Sequence, residues 1–269
     1  MDFDRFKKII DYNQKNQDEI TRRVKDLYSK ADIDYERDLL NIMQVVRPLF
    51  EKKRYIVLEI PFKDKEIGAI CYKGDSFGYT FINSALPKVN VNFALCHEIH
   101  HIFYQEQSLI QKIELYMNEH YFEYEEEFSA NLFAGILLMP EQSFQNMFRK
   151  FQSEKTADET ELSLVIKLMS YFEVPYMAAL IRCYELNLLD AGEKLEKLLS
   201  VSEDAILKEF ARLWLNEDLL KPTNKDDYKK LELLVRKVGE EYLKDEIITE
   251  RTMSTVLQNM KRIYDEVRG

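Results

Sequence analysis

Apolar residues recur at helical spacing through the first fifty positions: Ile20, Val24, Leu27 and Tyr28, then Leu39, Leu40, Met43, Val46, Leu49 and Phe50. Steps of three and four place such residues on one face of a helix, which predicts two or three amphipathic helices over 3–50. The pattern then changes. Tyr55-Ile-Val-Leu-Glu-Ile-Pro-Phe62, Ala69-Ile-Cys-Tyr72 and Tyr79-Thr-Phe-Ile82 are short, rich in β-branched and aromatic residues, and separated by Gly68, Gly74 and Gly78. These predict three antiparallel strands, with turn chemistry at Lys73-Gly-Asp-Ser76 between the second and third. Asn83, Ser84 and Pro87 mark the exit into a helix running to about Gln105. Another helix is expected from about Phe122 to Met139, ended by Pro140, whose ring cannot continue the backbone ladder. Beyond it, 162–172, 176–189, 192–199, 204–215, 227–244 and 250–267 read as helices, with polar breaks at 153–160 and 221–224. The predicted class is α+β and mostly helical, with one short sheet and an all-helical C-terminal region.

Composition narrows the function classes. The chain has 269 residues, 46% hydrophobic and 32% charged, so it can bury a core without a metal or disulfide to hold it together. Its formal net charge of -10 repels phosphate backbones and anionic lipid heads, so direct nucleic-acid binding and membrane-surface binding are not expected. The helix-turn-helix rhythm over 160–190 is accordingly read as helical packing. Cys71, Cys96 and Cys183 are odd in number and widely spaced, which points to a reducing cytoplasm rather than a disulfide framework. The N-terminus has no apolar leader segment, and the longest nearly apolar stretch, Leu132 to Met139, is far short of the roughly 20 residues of a membrane span.

One motif carries chemistry. In His97-Glu98-Ile99-His100-His101 the two outer histidines lie four apart, one above the other on a helical face, where two imidazoles can share a metal. Glu98 is turned aside by about 100°, placed to take a proton from activated water. With four histidines in the chain, chance supplies this pattern on the order of 0.006 times. A catalytic zinc needs a third protein ligand and an open fourth position. The next helix offers Glu123, Glu125, Glu126 and Glu127. The first three read as solvated first-turn acids. Glu127 shares a face with Ala130, Asn131, Ala134 and Leu138, a stripe small enough for close approach to the histidine helix, with Asn131 able to orient a ligand.

Three segments together, Phe81-Ile-Asn-Ser-Ala-Leu-Pro87, Phe93-Ala-Leu-Cys-His-Glu-Ile-His-His101 and Glu127-Phe-Ser-Ala-Asn-Leu-Phe-Ala-Gly-Ile-Leu-Leu-Met-Pro140, resemble the ImmA/IrrE family of metallopeptidases. The likeness covers about 55–190, including Tyr171-Phe-Glu-Val-Pro175, Ala179-Leu-Ile-Arg182 and Leu186-Asn-Leu-Leu189. It implies a zincin-like core over 1–195 followed by a helical region over 196–269. It also implies His97, His101 and Glu127 as Zn2+ ligands and Glu98 as the acid/base of amide hydrolysis. Two positions depart from the family pattern: His100 where Gly is usual, read as an orienting or surface group, and Ser129 where an acid is usual. Tyr104, His120, Tyr121 and Tyr124 are candidates for oxyanion stabilisation, and none is assigned. An extended substrate could pair with strand 69–72 or 79–82.

By the same resemblance the substrate is expected to be a regulatory protein, in particular a helix-turn-helix repressor of a mobile element or stress response. A non-catalytic interaction module with a structural zinc is the competing expectation, and hydrolysis of a non-protein amide is a third. Residues 221–269 hold 11 Lys plus Arg against 10 Asp plus Glu, a helical tail read equally well as a cap or as a docking element for a partner.

Overall fold

The computed structural model describes residues 1–33, 42–74, 77–105, 125–190 and 192–268. Leu39, Leu40, the Asp75-Ser76 half of the expected turn, Glu123, and the oxyanion candidates His120, Tyr121 and Tyr124 lie outside the described residues.

Helix α1 (Phe3–Lys30) opens on Asp2, whose carboxylate accepts from the Arg5 amide, and buries Ile20, Val24, Leu27 and Tyr28 in the main core. Helix α2 (Met43–Lys52) follows and buries Val46, Leu49 and Phe50. The sheet consists of β1 (Tyr55–Ile60), β2 (Ala69–Lys73) and β3 (Gly78–Asn83), in the order β1-β3-β2. It is mixed, not antiparallel as the strand pattern suggested: β2 and β3 form an antiparallel hairpin, whereas β1 runs parallel to β3. A parallel neighbour needs a long crossover, which residues 61–77, including β2, supply here. Alternation identifies strands but carries no signal for their spatial order.

Asn83 fixes that crossover. Its side chain is fully buried, accepts from the Phe62 and Ala85 amides at 3.0 and 3.1 Å, and donates to the Asp64 and Ile67 carbonyls at 2.9 and 2.8 Å. Gly78 is needed for another reason: a Cβ there would collide with the Tyr55 ring, its register partner on β1.

Two helices then cross in contact, α3 (Lys88–Tyr104) and α4 (Glu125–Leu138), with Ala130 and Ala134 fully buried. Pro140 ends α4 as expected and opens α5 (Glu141–Ser153), a helix absent from the sequence reading although Phe144 and Phe148 are spaced four apart and buried. Next come α6 (Glu161–Phe172), α7 (Tyr176–Glu185), α8 (Glu193–Leu199), α9 (Glu203–Arg212), a 3-10 turn at Glu217–Leu220, α10 (Tyr228–Lys244) and α11 (Glu250–Arg268). No single helix among the described residues is long and apolar enough to cross a membrane. The α6–α7 pair, bent by 108°, buries Leu164, Val165, Ile166, Leu168, Ala179, Leu180 and Cys183, which fits packing rather than groove reading.

The chain leaving the 3-10 turn runs along the outer edge of β1. Glu59 and Asp227 exchange backbone and side-chain bonds at 2.8 and 3.0 Å, and the Asn224 amide donates to the Ser84 carbonyl at 2.9 Å. Tyr228 stacks on Tyr264 at 4.0 Å, and Tyr264 packs with Ile60 and Phe62 in a second, smaller core.

Replacing Asn83 by Ala leaves three backbone partners in the crossover and the Ala85 amide unpaired and is expected to lower stability by about 2–4 kcal/mol, read from the urea midpoint at unchanged slope.

Candidate metal centre

His97 and His101 lie one turn apart on α3, and Glu127 stands in the first turn of α4 opposite them, so the small-residue crossing sets their spacing. The two imidazole Nε2 atoms are 3.0 Å apart; Glu127 reaches His97 Nε2 at 3.1 Å and His101 Nε2 at 3.6 Å. One ligating atom from each residue falls within 4.8 Å of the others. Zinc with tetrahedral bonds of about 2.05 Å holds its ligand atoms about 3.3 Å apart, and the three separations bracket that value.

The outer ring nitrogens show why this set suits a cation. His97 Nδ1 meets Asn131 Oδ1 at 3.0 Å, and His101 Nδ1 meets Gln105 Oε1 at 2.7 Å. Amide oxygens accept only, so each Nδ1 carries the proton and each Nε2 keeps its lone pair for the centre. Two lone pairs and a carboxylate facing one another repel, and a shared cation or proton relieves that repulsion. The residues therefore fit a zinc ion. Asn131 occupies the role its place on the stripe suggested. Gln105 was missed, though it stands four residues after His101 on the same face and was legible as such.

Burial works against charge on His97, but the Glu127 hydrogen bond, the charges of Glu98 and Glu127 and the Asn131 contact outweigh it and raise its pKa. Burial likewise pushes Glu127 up, yet its hydrogen bonds to His101 and His97 hold the carboxyl well below the usual carboxylate range. Glu125 is exposed and Glu126 half-buried, in keeping with their reading as first-turn acids.

Glu98 is buried at the wall of a cleft of about 690 Å³ that also reaches His97, His101 and Glu127. Gly68 and Ala69, where β2 begins, line the same cleft, as do Phe93, Met177 and Ile181. β2 is an edge strand on this side, whereas β3 is the central strand and so is not available for pairing, contrary to one of the two edges expected.

Helix α1 supports the site from behind, through contacts no local sequence signal could reveal. His100 is fully buried, not at the surface; its Nε2 accepts from Arg23 Nη1 at 2.9 Å. Burial, then His101 and Arg23, push its pKa down to about 2, so it is a neutral packing group beside Phe133 and Tyr104. Tyr104 turns its hydroxyl to the Arg23 carbonyl and the Asp26 carboxylate, at 2.7 and 2.8 Å, away from an oxyanion-binding role. Ser129, where an acid was the usual residue, is buried and bonded to Tyr12. At the far end of the cleft Asn13 donates to Glu185, which pairs at 2.8 Å with the fully buried Arg182, while Arg182 Nε caps the Met139 carbonyl beyond α4 at 3.1 Å.

Residues 51–184 match the family model Peptidase_M78, described as the IrrE N-terminal-like domain. No curated protein matches the chain.

Asn131→Ala and Gln105→Ala are each expected to weaken metal affinity about 10–100-fold without unfolding the protein, measured by chelator competition. A metal must displace the proton that His97 holds with raised pKa, so affinity is full above that pKa and declines below it. The same titration should show about a tenfold loss per pH unit once pH falls below the raised His97 pKa, so the decline sets in above the ordinary imidazole value.

Proposed function

Because the chain belongs to the Peptidase_M78 (ImmA/IrrE) family through residues 51–184 and is a metallopeptidase acting on a protein substrate, we propose that it is a zinc endopeptidase in which His97, His101 and Glu127 hold the ion and Glu98 serves as acid and base. The observation that carries this reading is the convergence of those three donors on a cleft whose wall includes Glu98. Bound there, zinc supplies Lewis acidity, which lowers the pKa of water toward about 7 and polarises a carbonyl.

The protein's own groups do the rest. Glu98 takes a proton from the attacking water and returns it to the leaving amine. Asn131 and Gln105 hold the imidazoles in the ligating tautomer. The free edge of β2 pairs with an extended substrate segment, which lies across the cleft with apolar side chains against Phe93, Met177 and Ile181. Among the described residues three donors face an open cleft, which favours this over a structural zinc, whose sites are closed by four protein ligands.

The proposed substrate is a helix-turn-helix repressor, cleaved to release a mobile-element or stress response in a reducing cytoplasm. A net charge of -10 supports that choice, since DNA-reading proteins present basic faces and opposite charge speeds encounter. Cys71, Cys96 and Cys183, buried and in no disulfide among the described residues, suit such a compartment.

Glu98→Gln should keep the metal and the melting temperature while cleavage of a candidate repressor falls by about 10²–10⁴-fold, followed by mass spectrometry of the fragments. Equal cleavage by both proteins would remove Glu98 from the mechanism. Loss of the fold on removing a metal ligand, with no activity lost in Glu98→Gln, would favour the structural-zinc reading instead.

A further inference from the structure

Helices α10 and α11 form a hairpin joined by residues 245–249, and only Gly239 and Tyr264 within these helices are buried. Tyr228, Leu231, Val235, Gly239 and Leu243, the covered positions of α10, repeat by threes and fours, as do Met253, Leu257, Met260, Tyr264 and Val267 on α11. That spacing is a coiled-coil seam on each helix. The two helices close on each other where Met253 fills the space a Gly239 side chain would occupy. A second seam lies beside the first on α11, through Val256, Met260, Ile263 and Val267. Its outer members stay in solvent: Val256 is 45% exposed and Ile263 52%, with Val238 at 40% and Tyr242 at 46% on α10. Exposed apolar positions on a helical hairpin mark a face that a second pair of helices can cover to make a four-helix bundle.

Charge says what completes it. The base of the hairpin, 228–237 with 258–268, holds seven Lys or Arg against three Asp or Glu. The tip, 238–251, holds two against five. Several base charges are already spent within their own helix, as in Arg236–Glu232, Lys261–Asp265 and Arg262–Glu266. Lys229, Lys230 and Lys237 have no ion-pair partner among the described residues, nor do Glu240, Glu241, Asp245, Glu246 and Glu250 at the tip. A surface with free cations at one end and free anions at the other complements itself once rotated by half a turn.

We propose that this hairpin binds the hairpin of a second copy of the chain, antiparallel about a two-fold axis, so that each acidic tip lies on the other's basic base. A two-fold contact of this kind repeats every favourable pair twice. The face, about 25 Å long and two helices wide, belongs to the lower size class of stable interfaces, so the dimer dissociates on dilution.

Sedimentation velocity of the full chain from about 1 to about 100 µM should show a monomer–dimer equilibrium. Val256→Glu with Ile263→Glu should raise the dissociation constant at least about tenfold, with metal content and thermal melt unchanged. Two charge-swapped proteins sharpen the test: Glu240→Lys with Glu241→Lys at the tip, and Lys229→Glu with Lys230→Glu at the base. Each alone should be monomeric, and an equimolar mixture should regain the dimer, because only the mixed pair restores opposite charges at both ends. A wild-type protein that stays monomeric throughout, a dimer indifferent to the apolar substitutions, or a mixture that remains monomeric would each overturn the proposal.

Discussion

Three ligating atoms from two helices can meet only if the backbones come close, and the crossing of Lys88–Tyr104 with Glu125–Leu138 is the constraint on which the site depends. Ala130 and Ala134 permit the approach, and it brings Glu127 within 3.1 Å of His97. A bulkier residue at either position would move the carboxylate by more than a metal bond tolerates. The repulsion among two imidazole lone pairs and a carboxylate has to be borne by packing when no cation is present. That packing comes from the surrounding core, which includes Leu95, Ile99 and Phe133, each fully buried.

The support reaches beyond the segment that matches the family. The N-terminal helix, outside 51–184, contributes Tyr12, Asn13 and Arg23, which bond to Ser129, Glu185 and His100 respectively. They fix the rear of the two site helices and the far end of the cleft. Residues after the match act on the opposite side: Asp227 and Asn224 complete the hydrogen bonding of β1 and of the turn at Ser84. Among the described residues the sheet edge left for an extended ligand is therefore β2, because β1 is covered and β3 is central.

Much of this was legible in the residues. Helical periodicity located α6 to α11 within a few positions, and the His97/His101 spacing together with the family resemblance named His97, His101 and Glu127, whose ligating atoms lie within 4.8 Å of one another. What escaped has a physical reason in each case. Parallel pairing of β1 with β3 depends on how a 17-residue crossover folds, held by Asn83, and strand alternation is blind to that. Arg23 and Asn13 act across the tertiary fold and leave no local pattern. Gln105 and the helix through Phe144 and Phe148 are different: their spacing was present in the chain and gave a signal that went unread.

The central claim is one zinc ion held by two imidazoles and one carboxylate with its fourth position open to the cleft. Anomalous diffraction at the zinc edge from crystals of the zinc-loaded protein tests it most directly. The account predicts one strong peak within about 2.0–2.2 Å of His97 Nε2, His101 Nε2 and a Glu127 oxygen, with no fourth protein ligand. A peak closed by a fourth side chain, or no peak between these residues in protein shown to contain zinc, would contradict it.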